Sequence, residues 1–435
     1  MSSKVKLSVA TGGASALGPK IRFPEFQKAN GWRTTNLNSL LFEAKHRNRS
    51  LELGPADVLS VSGEYGCVNQ IEFMGRSYAG VTVKDYHVVE HGDIVYTKSP
   101  LKKNPYGIIK ENKGKRGIVS TLYAVYRPFP ECCPTYLDHF FSVDFHLNSY
   151  LQPIVRKGAK NDMKVNNADV LKGKICVPDL PEQQKIAECL DSVDALIAAQ
   201  GRKVEALKAH KKGLMQQLFP RPQRIENGIE IPAETRPRLR FPEFDETGDW
   251  EEKSFSAVID LISGLHLSPD EYSVSGEVPY FSGPSDFTGE LSEARKWTAL
   301  TKSAAKSGDT LITVKGSGVG EGWFSSLTAV ALGRQLMAVR PKAGQNHRFV
   351  FQFLLTKKRR LEILGEGNLI PGLSRPDILD LKAFFPKPPE QKRIADCLTS
   401  LDDLITAEAR KLETLNTHKK GLMQQLFPQV GEAGA

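Results

Sequence analysis

The sequence predicts a mixed α/β protein, two domains of one fold separated by a pair of long antiparallel coiled-coil helices, with a pseudo-twofold internal repeat. Three observations predict it. A helical segment occurs twice almost unchanged, a short proline-containing head precedes each variable block, and both helical segments carry a heptad seam.

The heads come first. Pro19 to Phe26 reads PKIRFPEF and Pro237 to Phe244 reads PRLRFPEF, each followed shortly by a tryptophan, Trp32 or Trp250. A variable block of about 150 residues follows each head, and only a faint skeleton survives in both. Gly92-Asp93-Ile94-Val95-Tyr96-Thr97 answers to Gly308-Asp309-Thr310-Leu311-Ile312-Thr313, and Tyr123 to Pro128 answers to Met337 to Pro341. Short β-branched and aromatic runs bounded by Gly, Asp and Pro read as strands.

Pro181 to Pro220 then realigns on Pro389 to Pro428 without a gap. Proline followed by Glu-Gln opens each helix, and Leu-Phe-Pro closes it. The apolar seam runs Ile186, Leu190, Val193, Ile197, Val204, Leu207, Leu214 and Leu218 in the first copy, and Ile394, Leu398, Leu401, Ile405, Leu412, Leu415, Leu422 and Leu426 in the second. Steps of three and four ask for a partner helix, and the other copy is the obvious one. The first helix carries the chain from one block to the next and the second starts from that next block, so side-by-side packing is antiparallel. Gln200 with Glu408, and Lys211 with Lys419, interrupt the seam at matched places. The first pair is either a register pin or a site facing water or another subunit. Gly213 and Gly421 predict a bend or break before the last turn.

The expected organisation is an extension at 1–18, a first variable domain at 19–179, a helical spacer at 180–220 and a linker at 221–236. A second variable domain at 237–387, a helical spacer at 388–428 and a tail at 429–435 complete it. At about 1.5 Å per residue, a helix of about 38 residues spans roughly 57 Å, against about 34 Å for one turn of duplex DNA.

A chain of 435 residues is too long for one core, and a formal charge of +9 favours an anionic partner. The six cysteines, Cys67, Cys132, Cys133, Cys176, Cys189 and Cys397, form no CxxC pair and no Cys/His set with zinc spacing, and the nine histidines show no paired ligand spacing. No metal site is expected. Met1 to Gly18 lacks the apolar core of a secretory leader, and no run of about 18 apolar residues occurs. The expectation is a soluble, reduced, cytoplasmic protein.

Three fragments invite an enzymatic reading. Lys103-Asn104-Pro105-Tyr106 is part of the pattern that holds a flipped base in amino-methyltransferases, but no glycine-rich cofactor loop accompanies it. Asp377 with Glu390-Gln391-Lys392 has the spacing of a nuclease metal set. The first repeat lacks the lysine, and both triplets sit in helix-starting turns, so they are read as capping chemistry. Gly316-Ser317-Gly318-Val319-Gly320 lacks the Lys-Ser/Thr of a phosphate loop and reads as a turn between strands. No catalytic, cofactor-binding or metal residue is assigned.

For DNA contact the sequence offers Lys98, Lys102, Lys103, Asn104, Tyr106, Lys110, Lys113, Lys115 and Arg116 in the first block, and Lys315, Ser317 and Arg334 in the second. Lysines would neutralise phosphates, while Asn104 or Arg116 would address base edges. The run Lys357-Lys358-Arg359-Arg360 would add backbone contacts.

The chain resembles the specificity subunit of type I restriction-modification enzymes. The resemblance covers nearly the whole length and rests on Pro181-Glu182-Gln183 with Pro389-Glu390-Gln391, on Ile186-Ala187 with Ile394-Ala395, on both HKKGLMQQLFP endings and on both RFPEF heads. It implies two target-recognition domains that each contact half of an asymmetric, two-part site in double-stranded DNA. It further implies that the helices dock two modification (methyltransferase) subunits, joined by restriction subunits that supply translocation and cleavage. S-adenosylmethionine, ATP and magnesium are then expected on those partners and no cofactor on this chain. The alternatives are a coiled-coil adaptor without DNA readout and a stand-alone nuclease.

Overall fold

The computed structural model describes residues 8–9, 18–157, 163–226, 229–316, 318–367 and 372–428. The chain divides into two compact units, residues 1–200 with 411–435 and residues 201–410. Both divisions fall inside long helices, Leu180–Leu218 and Pro388–Leu426. Each unit therefore holds a variable block together with one part of each helix.

In the first unit a four-stranded antiparallel sheet has the order Leu41–Glu43, Tyr123–Pro128, Ile94–Thr97, Ile108–Glu111. In the second unit the order is Ile259–Ser263, Leu336–Pro341, Thr310–Thr313, Gly322–Phe324, again antiparallel throughout. The two skeleton motifs form the two central strands of each sheet, so what the blocks share is a frame. Each frame carries the same ion pair. Asp93 bonds Arg127 at 2.9 and 3.0 Å, and Asp309 bonds Arg340 at 2.6 Å. The glycine before each aspartate has a left-handed backbone, φ 83° at Gly92 and 90° at Gly308, which a side chain would strain. Outside this frame the units differ. The second adds a four-stranded sheet containing Val278–Phe281 and Ala329–Leu332, where the first has two-stranded pairs.

Each block is closed end to end. Arg33–Asn36, just after Trp32, pairs with Lys174–Val177, just before the first long helix. Glu251–Ser254, just after Trp250, pairs with Lys382–Phe385, just before the second. These ladders feed the chain into the helices from a fixed position.

Both long helices are packed by their seam. Ile186, Leu190 and Val193 are buried with Leu422, Met423, Leu426 and Phe427 in the first unit, and Ile394 and Leu398 are buried with Leu218 and Phe219 in the second. Val204 is also buried, while Ile197, Leu207, Leu401, Ile405, Leu412 and Leu415 are half-buried. The predicted bend or break does not appear as a break, since both helices continue through Gly213 and Gly421 for another turn. Tertiary burial of Leu218 and Leu426 outweighs the roughly 1 kcal/mol helix cost of one glycine. No helix among the described residues is long and apolar enough to cross a membrane.

Candidate nucleic-acid interface and its supporting frame

The head, the tryptophan and the helix opening meet at one carboxylate in each unit. Arg22 donates to Glu182 through Nε and Nη2, both at 2.7 Å, and Trp32 Nε1 donates to the same group at 3.3 Å. Arg240 donates to Glu390 at 2.8 and 2.7 Å, and Trp250 Nε1 at 3.1 Å. Glu182 and Glu390 are each 2% exposed. The neighbouring glutamines complete the joint, because Gln183 accepts from the Cys133 amide and Gln391 from the Asn346 amide. A two-pronged guanidinium is the partner that a buried carboxylate needs. Glu390 is thus neutralised by arginine, and Asp377 caps a short helix at Ser374, so the nuclease-like set is structural.

The helix endings are anchors. Phe219 packs against Trp250, Phe349 and Phe353 with ring centroids 5.5–6.5 Å apart, and Phe427 packs against Tyr136 and Phe140 at 5.5 and 5.6 Å. Along the seam the second unit pairs Lys203 with Glu408 and Lys211 with Asp402. One number rises as the other falls, so the helices run antiparallel there. In the first unit Lys419 pairs with Asp194 at 2.6 Å. Gln200 is buried, and Glu408 takes its ion pair from Lys203.

The predicted DNA residues fall into two groups. Lys102 and Lys103 are exposed and Lys98 is half-buried, all beyond the end of strand Ile94–Thr97. Burial holds Lys98 below the ordinary lysine value against the opposing charge of Glu43, and Arg47 adds a smaller push in the same direction as burial. It lines a cleft of about 970 Å³ with Arg156 and Lys172.

All of the remainder but Lys115 is engaged elsewhere. Asn104, expected at a base edge, is 8% exposed and its amide donates to Asp144 at 2.8 Å. Lys110 is equally buried and bonds Ser142 and Asp138, because all four residues of its strand, Ile108–Glu111, are covered. Tyr106 is half-buried against the first core. Lys113 pairs with Asp191 at 2.8 Å, and Arg116 with Glu90 at 3.0 Å. Lys115 is exposed.

In the second unit Lys315 and Arg334 are exposed on adjacent segments, joined by the Val314 amide donating to the Gln335 carbonyl at 2.8 Å. The first unit makes the same link from the Lys98 amide to the Leu122 carbonyl at 3.3 Å. Cations therefore stand at the same end of the same frame in both units. Ser317 lies outside the described residues.

A further basic run lines a separate cleft in the first unit. Lys45, His46, Arg47 and Arg49 line a cleft of about 520 Å³. Arg47 forms a β-bridge with buried His87, which is pushed down to about 4 chiefly by desolvation and then by the charges of Arg47 and Lys98. Four basic side chains in five residues were the sequence signal, and the pull of the longer lysine run obscured it.

Among the described residues one group has metal-ligand character, His139, Asp191 and Asp194, whose ligand atoms lie within 4.8 Å of one another. His139 bonds Asp191, and the ammonium groups of Lys113 and Lys419 already balance Asp191 and Asp194.

The chain matches the family described as type I restriction modification DNA specificity domain over residues 82–209 and 247–417. It is similar to two specificity subunits from Methanocaldococcus jannaschii. The one assigned to the type I restriction enzyme MjaX is 28% identical over 277 residues, covering 63% of each chain, and that of MjaVIII is 26% identical over 278 residues, covering 58% of this chain and 61% of the relative. The chain thus spans less than two thirds of the length of these relatives. Among solved structures, the S subunit of a type I restriction-modification system from M. genitalium superposes with a TM-score of 0.60 at 13% identity, covering 95% of this chain and all of that one. A chain from a study of assembly and conformational transition of the type I system gives 0.53 at 19%, covering 92% and 98%. The duplicated frame, the paired helices and the family match over both halves converge, and the chain belongs to the type I restriction-modification DNA specificity family.

Proposed function

We propose that this chain reads double-stranded DNA for a type I restriction-modification complex and performs no chemistry itself. Its two units each contact one half of an asymmetric, bipartite site. The helix pair docks two modification subunits, and restriction subunits join through them. S-adenosylmethionine, ATP and magnesium act on those partners, and this chain requires none of them.

One observation carries the reading. Two units with one frame place cations at the same end of the sheet, yet the residues there differ, Lys98, Lys102 and Lys103 in one and Lys315 and Arg334 in the other. Equal frames set position, and unequal surfaces read unequal sequences. An adaptor without readout would have no use for that combination. In a footprint of the assembled complex, charge reversal at Lys98, Lys102 and Lys103 removes protection from one half-site only, and reversal at Lys315 and Arg334 removes the other. Loss of both halves together, or of neither, contradicts the assignment.

A further inference from the structure

A cleft of about 1090 Å³ opens in the second unit between the end of the first long helix and helix His347–Glu366. Its floor is apolar, formed by Met215, Phe219 and Leu355, and its rim is cationic. Some of these cations are already balanced, since Lys211 pairs with Asp402 and Lys358 and Arg359 with Glu362. Among the described residues no carboxylate pairs with Lys212, Arg221, Lys357 or Arg360.

Lys357 is the telling member. Its ammonium sits 4.7 Å above the Phe353 ring, and burial first, Arg360 second, push it down to about 8. A half-buried ammonium crowded by a second cation, as Lys357 is by exposed Arg360, is costly without counter-charge, and an incoming anion relieves that cost. A phosphodiester backbone would satisfy the rim but leave the apolar floor uncovered. A protein segment carrying both carboxylates and a large apolar side chain covers both.

We propose that this cleft docks an acidic segment of a partner protein, its apolar anchor seated on Met215, Phe219 and Leu355 and its carboxylates facing Lys212, Lys357 and Arg360. The site is independent of DNA reading. It reassigns the Lys357 to Arg360 run from phosphate contact to protein capture.

The test uses the full chain and three fluorescent probes. These are a peptide of about a dozen residues, rich in Glu and Asp around one Trp and one Leu, the same peptide with both apolar residues changed to Ala, and a random-sequence duplex. The proposal expects the anchored peptide to bind at least about tenfold more tightly than its alanine form, and Lys357→Glu with Arg360→Glu to weaken it at least about tenfold. Duplex affinity should change less than about twofold. Lys212→Glu with Arg221→Glu, on the rim, gives the same result should the first variant misfold. No peptide binding, no preference for the anchored form, or an equal loss of duplex affinity overturns the proposal, the last by making the cleft a nucleic-acid site.

Discussion

Lys211 of the first long helix lies 2.6 Å from Asp402 of the second, and Lys419 of the second lies 2.6 Å from Asp194 of the first. Lys211 and Lys419 are repeat equivalents, as are Asp194 and Asp402. Each helix thus supplies the acid in one unit and the base in the other, which only antiparallel copies of one sequence can do. The lysines read as interruptions of the seam are its cross-links.

Reversing one charge tests this. Lys211 is 12% exposed and Asp402 33%, so Lys211→Glu should cost about 1–2 kcal/mol. Adding Asp402→Lys should recover much of the loss. Urea denaturation of the single and double variants measures both, and strictly additive losses would show that the pair does not interact.

The buried joint should be less tolerant. Glu182→Ala leaves Arg22 and Trp32 without their acceptor, and Glu390→Ala does the same to Arg240 and Trp250, each at about 3–5 kcal/mol. Denaturant melts report the loss. Glu390→Ala should also leave DNA incubated with the isolated chain as intact as wild type does, whereas a cleavage activity abolished by this change would restore the nuclease reading.

Salt dependence separates free cations from paired ones. Reversing Lys98, Lys102 and Lys103 should shallow the slope of log affinity against log salt by about 0.9 for each phosphate contact removed. Reversing Lys113 and Arg116 should leave the slope unchanged, because Asp191 and Glu90 already hold them. Equal effects from the two sets would contradict the division made at the interface.

Asp191 gives a pH signature. Its bond to His139, followed by Lys113, holds the carboxyl at about 2, below its unfolded value near 4. A depressed pKa stabilises the fold above the unfolded value and loses that effect as pH falls through the folded one. The stability difference between wild type and Asp191→Asn should therefore be steady above about pH 5 and shrink between about pH 4 and 2. A difference that grows on acidification would be the wrong sign.

What the sequence revealed was local or periodic. The heptad seam, the duplicated strands and the proline boundaries depend on near neighbours, and they appear where the pattern places them. Contacts between distant positions were hidden. Glu182 looked like helix capping because its true partners, Arg22 and Trp32, lie far back in the chain, and Phe219 and Phe427 looked like helix ends rather than anchors. Asn104 and Lys110 looked like surface cation-and-amide chemistry, but the strand Ile108–Glu111 is covered on both faces, so no alternation marked which side chains face inward. Gly213 and Gly421 were read by helix propensity alone, which burial of the flanking leucines overrides.

The most direct test is methylation mapping across a genome exposed to this chain with its modification subunits. One modified motif, split into two unlike halves by a spacer of fixed length, is the expected result. A single uninterrupted palindrome, or a pattern unchanged when this chain is left out, would contradict it.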